Sequence, residues 1–165
     1  MAHESDEVDR IVGSWTTQRP DLDFSPLEVL SRVDRLSRHL DRARRDAFRR
    51  SDLEPWEWDV LSALRRSGEP FQLSPKQLLQ QTLVSSGTMT NRIDRLVGRR
   101  LVRREADPVD GRSILVILTE EGRTRVDAAI TRLVDAEAIL LQRLSRSDRD
   151  RLAALLRKLS LGFDL

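Results

Sequence analysis

Between Ser85 and Leu96 the chain reads SSGTMTNRIDRL, six short polar or glycine residues leading into a basic helical pattern. At about 100° per residue, Met89, Ile93 and Leu96 share one face, which packs inward. Opposite them lie Gly87, Asn91, Asp94 and Arg95, with Thr88 and Thr90 on the flanks. A helix that starts with such short side chains can sit deep in a major groove. There Asn91 can pair with adenine and Arg95 with guanine, while Thr88 and Thr90 can touch a thymine methyl or a phosphate. Ser85 and Ser86, with the free amides of the helix start, are phosphate donors. Plain helix capping accounts for Ser85 equally well. Arg92 falls about 60° from the apolar centre, so it borders the protein side rather than the groove.

The surrounding elements decide whether this helix can reach DNA. PKQLLQQT, opened by Ser74, Pro75 and Gln77 in a capping-box pattern, is a short helix ending a few residues before Ser85. After Leu101, LVRREAD and SILVILT are runs of strand length flanking PVDG, whose Asp110-Gly111 pair suits a tight hairpin. Helix, turn, second helix and basic hairpin in this order predict a winged helix-turn-helix. Upstream, Val8, Ile11, Val12 and Trp15 mark a short amphipathic helix. A long helix follows, with Ser25 as cap, Pro26 at its first position and Glu28 closing a capping box. Its apolar residues Val29, Val33, Leu36, Leu40, Ala43 and Ala47 form one seam, expected to be buried. LEPWEWDVLSALRRSG is a third helix, between Pro55 and Gly68. Downstream, Thr119 caps a long helix and Ser147 a last one.

At 165 residues the chain can bury a core, and without cysteine it cannot be a disulfide scaffold. The net charge is only +2, yet 34% of residues are charged and lysine occurs only at Lys76 and Lys158. Arginine offers a planar fork of donors, so its placement outweighs the total. The acidic start and the lack of a long apolar run predict a soluble cytoplasmic protein with no membrane partner. His3 and His39 have no carboxylate or histidine spacing suited to zinc, and nucleophile motifs and phosphate-binding glycine loops are missing. We therefore expect no enzyme, no metal and no cofactor.

SSGTMTNRIDRL, LVRREADPVDGRS and LVILTEEG together resemble the MarR family of winged-helix transcriptional regulators, over nearly the whole chain. The wing pattern Asp-x-Arg followed by Leu-Thr falls on Asp110, Arg112, Leu118 and Thr119. The resemblance implies a mainly α fold with one β-hairpin wing and long N- and C-terminal dimerisation helices. It implies a homodimer on a pseudo-palindromic operator in double-stranded DNA, most simply as a repressor. Arg112 would reach the minor groove, where a narrow groove concentrates negative potential, with Asp110 orienting it; a local ion pair between the two is compatible with that role. The chain divides into N-terminal helices with a ligand pocket (1–50), the DNA-binding region (51–118) and C-terminal dimerisation helices (119–165), intertwined as one domain. One departure stands out: the usual glycine before LVRR is replaced by Arg100, with Gly98 nearby. Either the helix ends at Gly98, or Arg100 accepts a left-handed conformation costing roughly 1 kcal/mol.

A narrower resemblance is to the urate-responsive and trans-aconitate-responsive branch, nearer the latter. Its ligand positions match Trp15, Asp59, Arg92 and Arg104. Two arginines beside an aromatic residue suit a compact organic anion, a tricarboxylate such as trans-aconitate or citrate first and urate next. Taken singly, Trp15 suits a core, Asp59 a solvated surface, and Arg104 a phosphate contact. The alternative function is a ligand-independent winged-helix module that binds DNA or a partner.

Overall fold

A computed structural model describes residues 5–82, 84–108 and 113–163. The chain forms two compact units, residues 1–42 and 43–165.

The first unit holds α1 (Glu7–Gln18) and most of α2 (Ser25–Arg49). Asp6 caps α1 in a reciprocal box with Asp9. The start of α2 differs from expectation. Asp23, not Ser25, closes it: its carboxylate accepts the Ser25 amide and hydroxyl, both at 2.9 Å, so Ser25 becomes the first helical residue. A carboxylate two residues ahead offers two acceptor atoms where a hydroxyl offers one. Arg32 forks onto Asp6 (2.8 Å) and Asp9 (2.6 Å), and Arg35 reaches Glu7 at 2.5 Å. The Arg32 guanidinium holds the Asp6 carboxyl down at about 2, against an ordinary 3.8. A depressed carboxyl contributes stability that is complete above its ordinary value and lost as pH falls from near 4 through about 2. An Arg32→Gln variant should return the Asp6 titration towards 3.8, as read by carbon NMR of the carboxyl.

The second unit carries the rest. Glu54 opens α3 (Pro55–Arg66), in a capping box with Glu57. After Gly68 at φ 78°, a two-residue strand β1 (Gln72–Leu73) precedes α4 (Pro75–Thr82), where Ser74 and Gln77 form the expected capping box. Ser85 caps α5 (Ser86–Gly98), its side chain accepting from the Thr88 amide. Strands β2 (Val102–Ala106) and β3 (Ile114–Leu118) form the antiparallel hairpin, with Arg104 opposite Val116. β1 adds to the far edge of β3, giving a three-stranded sheet rather than a lone hairpin. Thr119 caps α6 (Glu120–Leu140). Ser145, not Ser147, caps α7 (Arg146–Ser160), because its hydroxyl meets the Asp148 amide and leaves Ser147 inside the first turn.

Leu61, Leu64, Leu78, Met89, Ile93, Leu96, Leu101 and Val116 are fully buried and gather α3, α4, α5 and the sheet around one core. The long helices are different. Of the α2 seam expected to be buried, Ala47 joins the core and Leu40 and Ala43 are partly covered, but Val29, Val33 and Leu36 are exposed, so its N-terminal half is open in a single chain. Ile130, Val134, Ile139 and Leu140 late in α6, and Leu152, Leu155, Leu156 and Leu159 of α7, are also exposed, and α7 buries no residue. Periodicity marks an apolar face but does not say what covers it. No helix among the described residues is long and apolar enough to cross a membrane.

Candidate nucleic-acid interface and anion site

On α5 the division read from spacing is realised. Met89, Ile93 and Leu96 are at most 1% exposed, while Ser85, Ser86, Gly87, Thr88, Thr90, Asn91, Asp94 and Arg95 face solvent. The hydroxyls are partly committed: Ser85 Oγ lies 2.9 Å from Thr88 Oγ1, and Thr90 Oγ1 donates to the Ser86 carbonyl at 3.2 Å. These local bonds spend the Thr90 hydroxyl proton and one proton of the Ser85–Thr88 pair, which leaves the other hydroxyl proton of that pair and the free amides of the exposed helix start to donate to an incoming phosphate. A Cβ built on Gly87 would meet nothing within 4 Å, so no packing inside the fold demands glycine there.

The far end of α5 is fixed by its turn. Arg99 caps it, Arg100 sits at φ 60°, the Arg100 amide returns to the Val97 carbonyl (2.9 Å) and the Leu101 amide to that of Leu96 (3.0 Å). These are the two bonds of a glycine-type helix ending, made here by arginine. Both alternatives hold: the helix stops at Gly98 and Arg100 takes the left-handed conformation. Arg100→Gly relieves that strain of roughly 1 kcal/mol but brings extra freedom to the unfolded chain, so the net gain should be small, about 0.5 kcal/mol, measured by urea unfolding.

An ion network locks this end in place. Arg99 Nη1 lies 2.5 Å from Oε2 of Glu57, a carboxylate only 1% exposed. Arg99 Nη2 reaches the Asp52 carboxylate at 2.7 Å, and Arg125, which also pairs with Glu121, meets the same Asp52 oxygen. Glu57 and Arg99 lie 42 positions apart, so local pattern reading did not find them.

Arg92 turns inward as expected, with its side chain 19% exposed. Its Nη1 is buried without a hydrogen-bond partner, and the nearest carboxylate oxygen, on Asp59, is 3.9 Å away. Asp59 is half exposed, and partial burial pushes its carboxyl above the ordinary value against the pull of Arg92 and then Arg66. Sequence reasoning missed Trp56, whose ring lies 5.9 Å from the Arg92 guanidinium and 4.5 Å from that of Arg95. Arg95 thus rests on an aromatic face instead of projecting freely. The only available signal was a tryptophan at the start of α3.

The other assigned residues fall elsewhere. Arg104 shares a face of β2 with buried Val102, by the twofold alternation of a strand. It binds Asp94 of α5 at 2.5 Å, so its guanidinium is engaged there rather than with the Asp59–Arg92 pair. Trp15 belongs to the first unit, where it is 49% exposed and stacks on Phe24 at 6.2 Å, not in a core. Asp110 and Arg112 lie outside the described residues. Among the described residues, no group of three or more histidines, cysteines and carboxylates could hold a metal ion.

Short helix, turn, exposed polar second helix and antiparallel wing define a winged helix-turn-helix protein. Residues 51–113 match the MarR family model. The transcriptional regulator PecS of Dickeya dadantii is 35% identical over 150 residues, covering 91% of this chain and 90% of that protein. The chain belongs to the MarR family of DNA-binding transcriptional regulators. Among solved structures, Streptomyces coelicolor Sco3205 in complex with DNA superposes with a TM-score of 0.72 at 22% identity, covering 86% of this chain and 93% of that one. Bordetella bronchiseptica BpsR, described with a mechanism for regulation of its DNA binding by 6-hydroxynicotinic acid, gives 0.60 at 28% identity, with 78% and 92% covered. These relatives are regulators rather than enzymes.

Proposed function

We propose that this regulator binds a pseudo-palindromic operator as a homodimer, represses from it, and is released by a small organic anion. The observation that carries the DNA reading is the outward face of α5, where Gly87, Thr88, Thr90, Asn91 and Arg95 surround an unobstructed helix start. Asn91, exposed, reads a base; Arg95 reads a base or anchors a phosphate; Ser85, Ser86, Thr88 and Thr90 position the backbone. Arg112 enters the minor groove with Asp110 behind it, as the family resemblance implies. The exposed apolar faces of α2, α6 and α7 are the natural cover for a second copy.

For the effector, the support is Arg92 with its unpartnered buried Nη1 and its long contact to Asp59. A carboxylate on a ligand would satisfy that nitrogen better than Asp59 does. Arg104 can be recruited from its surface pair with Asp94; Trp15 enters only through the resemblance. BpsR, whose DNA binding responds to an organic acid, supports the class, and tricarboxylates stand ahead of urate by the sequence resemblance alone.

Operator binding tests the DNA reading. Asn91→Ala should weaken binding by about 1–3 kcal/mol and relax preference at one base pair of each half-site. Gly87→Leu should leave the melting temperature at or above that of the wild type, since a Cβ there meets nothing, yet weaken operator binding because it holds the backbone off the groove. If the Leu variant binds like wild type, α5 does not enter a groove by its start. For the effector, citrate and urate should raise the melting temperature and weaken the operator complex; if neither anion does either, this release mechanism is wrong.

A further inference from the structure

We propose that Trp56 is a positioning residue that ties Arg92, on the anion side of α5, to Arg95, on its DNA-facing side. The coupling half of this inference rests on the effector reading above. Arg92 and Arg95 are three residues apart, neighbours on the helix surface, and both guanidinium groups lie over the same Trp56 ring, at 5.9 and 4.5 Å. The ring itself is well held. Trp56 follows Pro55 in the first turn of α3, next to buried Glu57 in its capping box, and packs against the main core.

The two arginines have few other holds. Arg92 has only its 3.9 Å contact to Asp59 and one nitrogen without a hydrogen bond. Arg95 makes no ion pair among the described residues, so the tryptophan face sets where its guanidinium waits before DNA arrives. A ring that serves two cations links them. When an anion draws Arg92 off the fixed ring, Arg95 resettles over the face that Arg92 has left, and the reading face of α5 changes without any contact between anion and DNA. The attraction of an exposed cation to an indole face corresponds to roughly a two- to fivefold change in binding.

The test is a double-mutant cycle on the full chain, using a duplex selected by the wild type from a random pool and citrate as the probe anion. Trp56→Leu should reduce the preference for that duplex over random DNA about two- to fivefold, and it should cost nothing further in an Arg95→Ala background. Trp56→Phe, which keeps a ring, should recover most of the preference. Citrate should still raise the melting temperature of Trp56→Leu while weakening its DNA complex much less than it weakens the wild-type complex. Additive effects of the two substitutions, or full preference in Trp56→Leu at unchanged melting temperature, would overturn the proposal. If citrate fails on the wild type, urate takes its place as the probe; if both fail, the effector reading falls and the coupling with it, while the anion-free cycle still decides whether Trp56 positions Arg95.

Discussion

Gly122→Ala is expected to cost about 3 kcal/mol of folding stability, a fall of roughly 6–12 °C in melting temperature. Gly122 is buried in the first turn of α6, where the helix crosses the turn between α5 and β2. A Cβ there would stand 2.1 Å from the Leu101 carbonyl oxygen, 3.0 Å from its carbon and 2.9 Å from Leu118 Cδ1. The leucine tip can rotate away, but the carbonyl cannot. It accepts the Thr119 amide at 3.1 Å and the Thr119 hydroxyl at 3.0 Å, while the Leu101 amide is bound to Leu96. Relief therefore requires α6 to lift off the base of the wing, which breaks the Thr119 cap as well. Gly98→Ala is the matched control, since a Cβ at Gly98 meets nothing within 4 Å and alanine favours the helix by up to about 1 kcal/mol. A Gly122→Ala melting temperature within 2 °C or so of wild type would contradict the close approach.

Arg99→Leu should cost about 2–3 kcal/mol. Removing one partner of a buried ion pair leaves a charge with no counter-ion, worth about 3–5 kcal/mol when both partners are buried. Here Glu57 is 1% exposed but Arg99 keeps 32% of its side chain in water, which lowers the figure. The second carboxylate, on Asp52, is 76% exposed and contributes little by itself. Combining Arg99→Leu with Glu57→Leu should restore much of the loss, because the unpaired carboxylate is then gone. Chemical unfolding measures both. If the double variant is as unstable as the sum of the singles, Glu57 and Arg99 do not act as a pair.

These two sites mark the boundary of what the sequence makes legible. The inward set Met89, Ile93 and Leu96, and the inward turn of Arg92, follow from helical geometry because they depend on one element alone. Element order was legible for the same reason: each helix and hairpin strand carries its own period. β1 was not, since two residues have no period; it exists because Leu73 and Gln72 pair with Val116 and Ile117, more than forty positions on. The caps at Asp23 and Ser145 were displaced by two residues because several side chains near each helix start can each accept a first-turn amide, and the sequence does not say in which turn the helix begins. Glu57 with Arg99, Trp56 with Arg95, and the contact of Gly122 with Leu101 all join distant stretches, and only the fold brings them together. The α2 seam shows the converse limit, a legible apolar face whose exposure in the single chain no pattern could foretell.

In the function proposed, the exposed start of α5 reads sequence, twice, from a two-fold dimer. Selection of bound duplexes from a random pool tests it most directly. The expected result is an enriched inverted repeat with half-site centres about 10 base pairs apart, bound with an affinity that falls steeply as salt rises. Recovery of unenriched DNA, bound equally whatever its sequence, would contradict it.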